Sequence, residues 1–316
     1  MSGFLLIDKP EGLTSFTIVA QARRLLKIEK GGHCGTLDPL ATGLLILCFG
    51  KATKLAQFVS VQTKKYVAEI TFGYTSTTYD RGGELTPSGA VASISDKDIA
   101  EALEMFRGTI TQLAPAYSAV KHQGRPLYDY ARKNIAVEPK QRTVSVEALE
   151  VLEYEYPRLT LAITCSTGTY IRSLAHDLGA RLGTGGYISQ LRRISIGASN
   201  VSDAITLAQL EKRTAPGIEA SGSARERLLS ELLIPMDTML HLPDIYLSPE
   251  RAGEVCRGVP IRVKDVVQCG RAIVPEELVA LRSQSGNLLA IGRSLYASEQ
   301  LQGLAEEKAV EYIRVV

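Results

Sequence analysis

Gly32-His33-Cys34-Gly35-Thr36-Leu37-Asp38-Pro39-Leu40-Ala41-Thr42-Gly43 is the stretch on which the reading of this chain turns. It sets a carboxylate in a turn framed by glycine and proline, with a histidine five residues upstream. Gly and Pro narrow the backbone paths open to such a segment. The apolar run Leu44-Leu45-Ile46-Leu47 follows and anchors its far side. An acid on an open surface needs no such framing, whereas an acid that must be accurately placed does.

On the N-terminal side, Phe4-Leu5-Leu6-Ile7 reads as a short buried strand, ended by Asp8-Lys9-Pro10-Glu11-Gly12. Ser15 is placed to cap a helix running to about Leu26. On the C-terminal side, 51–61 reads as a helix and 64–73 as a strand with Tyr66, Ala68, Ile70 and Phe72 on one face. Residues 75–90 read as a loop, and 96–107 as a helix with Ile99, Leu103 and Phe106 on one stripe. Residues 111–141 lack periodicity. Thr143 to Leu152 and Arg158 to Cys165 pattern as an antiparallel pair. Gly168-Thr169-Tyr170 leads into a helix burying Ile171, Leu174, Ala175, Leu178 and Leu182, and 187–196 returns to strand. Long strands with separate helices indicate an α+β domain around one large, mainly antiparallel sheet, not a βαβ series. Pro235 and Pro243 bracket a boundary, beyond which short apolar runs alternate with turns. The expected division is 1–238 and a compact β-rich domain over 239–316.

The chain has 316 residues, more than a typical single core, and 45% are hydrophobic. No apolar run approaches the length of a membrane span. The first ten residues carry no basic leader, which argues against a signal peptide. Five cysteines are scattered at 34, 48, 165, 256 and 269 without a CxxC pair, and the four histidines are dispersed. Reduced thiols in a cytoplasmic protein without structural zinc fit this pattern. No glycine-rich nucleotide loop is present, so no cofactor is expected. Net charge is only +2, but from Arg107 to Arg142 seven Lys/Arg stand against two acids, with Tyr117, Tyr128 and Tyr130 among them. Positive charge interleaved with flat rings suits a nucleic-acid backbone and unstacked bases. A solubilising loop with packed tyrosines is the plainer alternative. From His241 onward, nine cations face ten acids, so RNA contact there would need a local patch.

Three residues stand out for chemistry. Asp38 is either a placed base, acid or nucleophile, or a turn residue held by its own backbone. Arg172 lies off the leucine stripe of its helix, with His176 one turn on. Beside Asp38 it would keep the acid ionised and oriented; otherwise it is a solvated helix residue. Tyr66 points to a core or to a pocket. Spacing does not choose between these readings.

The chain closely resembles the tRNA pseudouridine synthase B family of bacteria. The matching pieces are 8–15, 32–43, Lys65-Tyr66, Ser118 to Lys121 with Gly124 to Tyr128, 168–172 and Leu191-Arg192-Arg193, in the family's order. The resemblance implies a pseudouridine synthase catalytic domain followed by a PUA domain. It implies isomerisation of uridine 55 in the TΨC loop of tRNA after the base is flipped out. On the matching positions, Asp38 is implied to attack the ribose and Arg172 to pair with it. Tyr66 is implied to stack on the base and help move a proton at the sugar. Tyr170 would line the pocket, Leu191 would pack against the base, and His33 would fill the space left in the loop. Lys9 and the basic segment, with Lys121 and Arg125, are implied to support the fold and contact RNA. Cys34 stands where the family usually has threonine, and its small side chain should keep the turn. Tyr79-Asp80 is suggestive without an assigned part. Expected partners are the tRNA T-arm alone, with no membrane, no obligate protein partner, no metal and a monomeric state. The rival readings are a synthase for another or guide-directed RNA, and a tRNA-binding folding chaperone.

Overall fold

The computed structural model describes residues 1–88, 93–115, 117, 121–131, 133, 135, 137, 141–215, 222–303 and 305–316. The chain opens with strand β1 (Gly3–Lys9), helix α1 (Ser15–Leu26), the short strand β2 (Gly31–His33) and strand β3 (Thr42–Phe49). Thr14, not Ser15, caps α1, accepting from the Thr17 N–H. The Ser15 hydroxyl is engaged elsewhere, donating to the Leu37 carbonyl and accepting from its N–H. The single helix expected over 51–61 is broken into a 3-10 turn (Gly50–Lys54) and α2 (Ala56–Ser60). The Thr53 hydroxyl donates back to the Gly50 carbonyl at 2.7 Å and tightens that first turn.

Strand β4 (Lys64–Phe72) buries every second residue, Tyr66 among them, as its alternation predicts. The segment expected as a loop holds a hairpin, β5 (Tyr74–Ser76) with β6 (Leu85–Pro87). Helix α3 (Asp96–Glu104) starts from a Ser95–Asp98 capping box. The basic segment opens with strand β7 (Gly108–Leu113), which pairs into the larger sheet, and its later described residues include the pair β8 (Lys121–His122) and β9 (Arg125–Pro126) and helix α4 (Leu127–Ala131). Then come β10 (Gln141–Glu155), β11 (Arg158–Cys165), α5 (Ile171–Arg181), β12 (Gly186–Ile196), β13 (Ser199–Asn200), α6 (Leu207–Thr214) and α7 (Ser223–Leu232).

Among the described residues the larger sheet has nine strands, ordered β1-β3-β12-β4-β11-β10-β7, with β2 beside β3 and β13 beside β12. Its pairings are antiparallel except β3 with β12, which run parallel and set Gly43 opposite Arg193. Two requirements select glycine there. Its φ is +97°, and a Cβ would lie 2.2 Å from the Arg193 carbonyl oxygen. One face of the sheet is covered by α1, α3 and α5, whose apolar stripes pack on Leu45, Leu47, Ala68, Ile70, Leu161 and Ile163. Each fully buried leucine or isoleucine among them is worth about 1.5–3 kcal/mol.

The smaller domain contains β14 (Asp244–Leu247), α8 (Pro249–Glu254), β15 (Ile261–Arg262), β16 (Val266–Cys269), β17 (Leu278–Arg282), β18 (Leu288–Ser294) and β19 (Lys308–Val315). They form a six-stranded sheet around its own core, including Ile245, Leu247, Val279, Leu281 and Val310. Ile291 leaves that core and packs with Met239 and Leu240 against the back of the larger sheet. Gln62 Nε2 donates to the Met239 carbonyl at 2.9 Å, and Arg282 pairs with Asp237 at 3.0 Å. The α+β reading, with a smaller β-rich domain at the C-terminus, is the architecture observed.

Candidate active site

Residues 34–41 link β2 to β3 and lie over the parallel junction of β3 and β12. Three polar side chains fix this loop through its backbone. Arg193, fully buried, donates to the carbonyls of Leu44 (2.7 Å), Thr36 (3.3 Å) and Gly35 (3.1 Å). Ser15 holds both the N–H and the C=O of Leu37. Lys9, also fully buried, donates to the carbonyls of Pro10 (2.8 Å), Leu13 (2.8 Å) and Pro39 (3.2 Å). The resemblance groups Lys9 with residues that contact substrate. In the fold its ammonium is enclosed by main-chain oxygens, so it ties 9–13 to the loop and presents no charge outward. Burial lowers its pKa to about 8, opposed by the nearby Asp38 and Glu11 carboxylates.

Held in this way, Asp38 presents a carboxylate that is 36% exposed, and Arg172 meets it from α5. Arg172 is not a solvated helix residue: its side chain is 6% exposed. Its Nε lies 2.9 Å from Asp38 Oδ2, and one terminal nitrogen lies 3.3 Å from Oδ1, a two-pronged grip. The rest of the guanidinium donates to the Thr78 carbonyl (3.0 Å) and the Tyr117 carbonyl (3.0 Å) and approaches Asp80 Oδ2 at 3.6 Å. Among the described residues, the carboxylate is therefore fixed through a cation that is itself held from three other directions.

Tyr66 is buried on β4, directly across the ladder from Arg193. Burial raises its pKa, while the Arg193 guanidinium pulls the other way. Leu191, also buried, faces Ala68 two residues along the same ladder. Tyr170 immediately precedes α5. Its N–H donates to Gln112 Oε1 (2.9 Å), Gln112 Nε2 donates back to its carbonyl (3.2 Å), and Arg142 lies over its ring at 6.0 Å. His33 ends β2 opposite Leu47, and burial followed by Arg193 lowers its pKa. Arg125 is exposed on β9, in the basic segment. The side chain of Lys121 lies outside the described residues.

Sequence reasoning missed the parts played by Arg193, Ser15, Gln112 and Asp80. Arg193 left one readable signal, a charge at an inward position of an otherwise apolar strand face. Asp80 was noted beside Tyr79, but nothing local joins it to Arg172. Its Oδ1 accepts from the Thr78 hydroxyl (2.7 Å) and the Gly82 N–H (2.9 Å). Among the described residues, no group of three or more His, Cys, Asp or Glu side chains is arranged to hold a metal ion.

Comparison with known proteins shows the family to which this fold belongs. Residues 23–171 match the N-terminal domain of TruB family pseudouridylate synthases, and 172–241 match the C-terminal domain of tRNA pseudouridylate synthase B. Residues 250–316 match the PUA domain. Fold and site thus define an isomerase of the pseudouridine synthase class. The chain is 39% identical over 310 residues to a tRNA pseudouridine synthase B of Syntrophus aciditrophicus, covering 95% of this chain and 94% of that protein. It is 46% identical over 263 residues to one of Xanthomonas axonopodis pv. citri, covering 83% and 82%. Among solved structures, a chain of an archaeal box H/ACA sRNP complex aligns with a TM-score of 0.76 and 26% identity, covering 99% of this chain and 85% of that one. A chain of an H/ACA RNP bound to a substrate RNA containing 2′-deoxyuridine aligns with a TM-score of 0.76 and 27% identity, covering 99% and 84%. The protein belongs to the TruB family of pseudouridylate synthases.

Proposed function

We propose that this enzyme converts uridine 55 of the tRNA TΨC loop to pseudouridine, with Asp38 as the nucleophile. The observation that carries the reading is the partly exposed Asp38 carboxylate gripped by the buried Arg172. The names of the bacterial relatives support tRNA as substrate. The target base leaves the loop and enters the pocket over β4 and β12. Asp38 attacks the ribose as the C1′–N1 bond breaks. The uracil turns while enclosed, and a C1′–C5 bond forms as the bond between Asp38 and the ribose breaks and returns the free carboxylate. The C5 proton leaves to solvent and N1 gains one, so no oxidant and no group donor enters the balance. Arg172 keeps the Asp38 oxygens aimed at the sugar. Tyr66 lies against the base and assists proton movement at the sugar, while Leu191 and Tyr170 complete the walls. His33 occupies space vacated in the loop. The basic segment with Arg125 and Lys121, together with the PUA domain, grips the RNA by shape and phosphate. The enzyme acts as a monomer in the cytoplasm, without an obligate protein partner.

The likeness to chains of H/ACA particles favours a second reading, a synthase that needs a guide RNA and protein partners. One experiment separates the two. Tritium release from a [5-³H]uridine-labelled T-arm hairpin is measured with the purified chain alone, beside D38N. Release by wild type, with D38N slower by at least about 10³-fold, is the expected outcome. No release by a folded wild type that binds the hairpin overturns the T-arm assignment. Equal release by D38N removes Asp38 from the chemistry.

A further inference from the structure

We propose that Tyr79 and His176 form a clamp that positions the Arg172 guanidinium on Asp38. The inference rests on the isomerase reading above.

Arg172 is held on one side by residues 77–82, the turn that follows β5. Thr78 and Asp80 both reach the guanidinium, at 3.0 and 3.6 Å, and Tyr79 stands between them. Tyr79 has a φ of +63°, a backbone region that a tyrosine enters only where its surroundings impose it. Two attachments impose it here. The first is main-chain: the Ile188 N–H donates to the Tyr79 carbonyl at 3.0 Å, and the Arg81 N–H donates to the Ile188 carbonyl at 2.9 Å. These bonds tie the turn to β12. The second is the side chain. The Tyr79 ring stacks on His176, with centroids 3.9 Å apart and planes within 13°. His176 lies four residues beyond Arg172 on α5, one turn along the same face. The stack therefore joins the turn that orients the guanidinium to the helix that carries it.

The imidazole makes no competing bond on its buried side. Its Nδ1 is buried without a hydrogen-bond partner among the described residues. Ring contact, not hydrogen bonding at that nitrogen, is what His176 supplies, so a phenyl ring should serve in its place. Without the stack, the turn keeps its bonds to β12 but loses its ring contact with α5, leaving the guanidinium itself as the remaining link between them. Arg172 then samples orientations in which its two prongs no longer match both Asp38 oxygens. Neither ring is assigned a contact with substrate, so the effect falls on the chemical step and not on RNA binding.

The test uses single-turnover tritium release and hairpin affinity for wild type, H176A, Y79A, H176F and the double variant H176A/Y79A. H176A and Y79A should each react about tenfold more slowly, with Kd within about twofold of wild type. The double variant should be no slower than either single one, because both remove the same contact. H176F should return the rate to within about twofold of wild type. Wild-type rates in H176A overturn the clamp, and so does an H176F as slow as H176A. A wild type that binds the hairpin but releases no tritium overturns the isomerase reading itself, a result distinct from either.

Discussion

At the scale of single residues, the site depends on how few donors are left free to move. Arg172 divides its N–H groups among Asp38, Thr78, Tyr117 and the neighbourhood of Asp80. A lysine keeps the charge but is a single point, and it cannot hold both Asp38 oxygens while also reaching two carbonyls. R172K should therefore lower the single-turnover rate by about 10²-fold while changing T-arm affinity by less than about threefold. Stopped-flow or quench measurements beside a binding titration check this. A variant that loses affinity and keeps its rate would show that Arg172 serves RNA binding. Asp38 and Arg172 were both marked as candidates in the sequence, because framing glycines and an off-stripe arginine are local signals. Their meeting was not legible: they are 134 residues apart, and no spacing rule spans that distance.

Elements set the reach of these side chains. The loop that carries Asp38 is the lead-in to β3, and α5 lies between β11 and β12, so the parallel contact of β3 with β12 is what brings both onto one site. Gly43 is the point of closest approach. G43A would force a left-handed φ on an alanine and drive its methyl into the Arg193 main chain. A loss of at least about 3 kcal/mol is expected. Urea unfolding and soluble yield measure it, and an alanine variant of wild-type stability would refute the close-approach argument. The same junction explains why Arg193 escaped the sequence reading. An inward arginine looks like an error in a strand until the carbonyls of Gly35, Thr36 and Leu44 are seen to converge on it.

Over the whole molecule, cations are buried beneath the loop at a cost that depends on pH. Lys9 and Lys64 titrate near 10.5 in an unfolded chain and at about 8 in the fold, first because both are buried. Lys64 donates to the Ser60 and Gln62 carbonyls, at 2.8 and 2.7 Å. Between pH 8 and pH 10.5 the unfolded chain binds the extra protons, so the contribution of these two groups to stability rises with pH and is flat below about 8. Urea unfolding of wild type and K64M at about pH 7.5 and about pH 9.5 should show wild type gaining on the variant as pH increases. A difference that stays constant or falls would mean that Lys64 is not the group titrating.

What the amino-acid sequence determined by itself was local. Alternation settled β4 and the face of Tyr66, the leucine stripe settled α5, and glycine and proline restricted the loop around Asp38, because each depends on neighbours within a few residues. Tertiary structure alone decided that Arg172 is buried against Asp38, that Lys9 faces inward to three carbonyls, that Asp80 completes the surroundings of Arg172, and that Ser15 serves the loop and not the helix cap. In each case the deciding partner is a main-chain oxygen or a carboxylate supplied by a distant element. A charged or hydroxyl side chain is solvated, capping or buried according to which of those oxygens the strand order brings within hydrogen-bond reach.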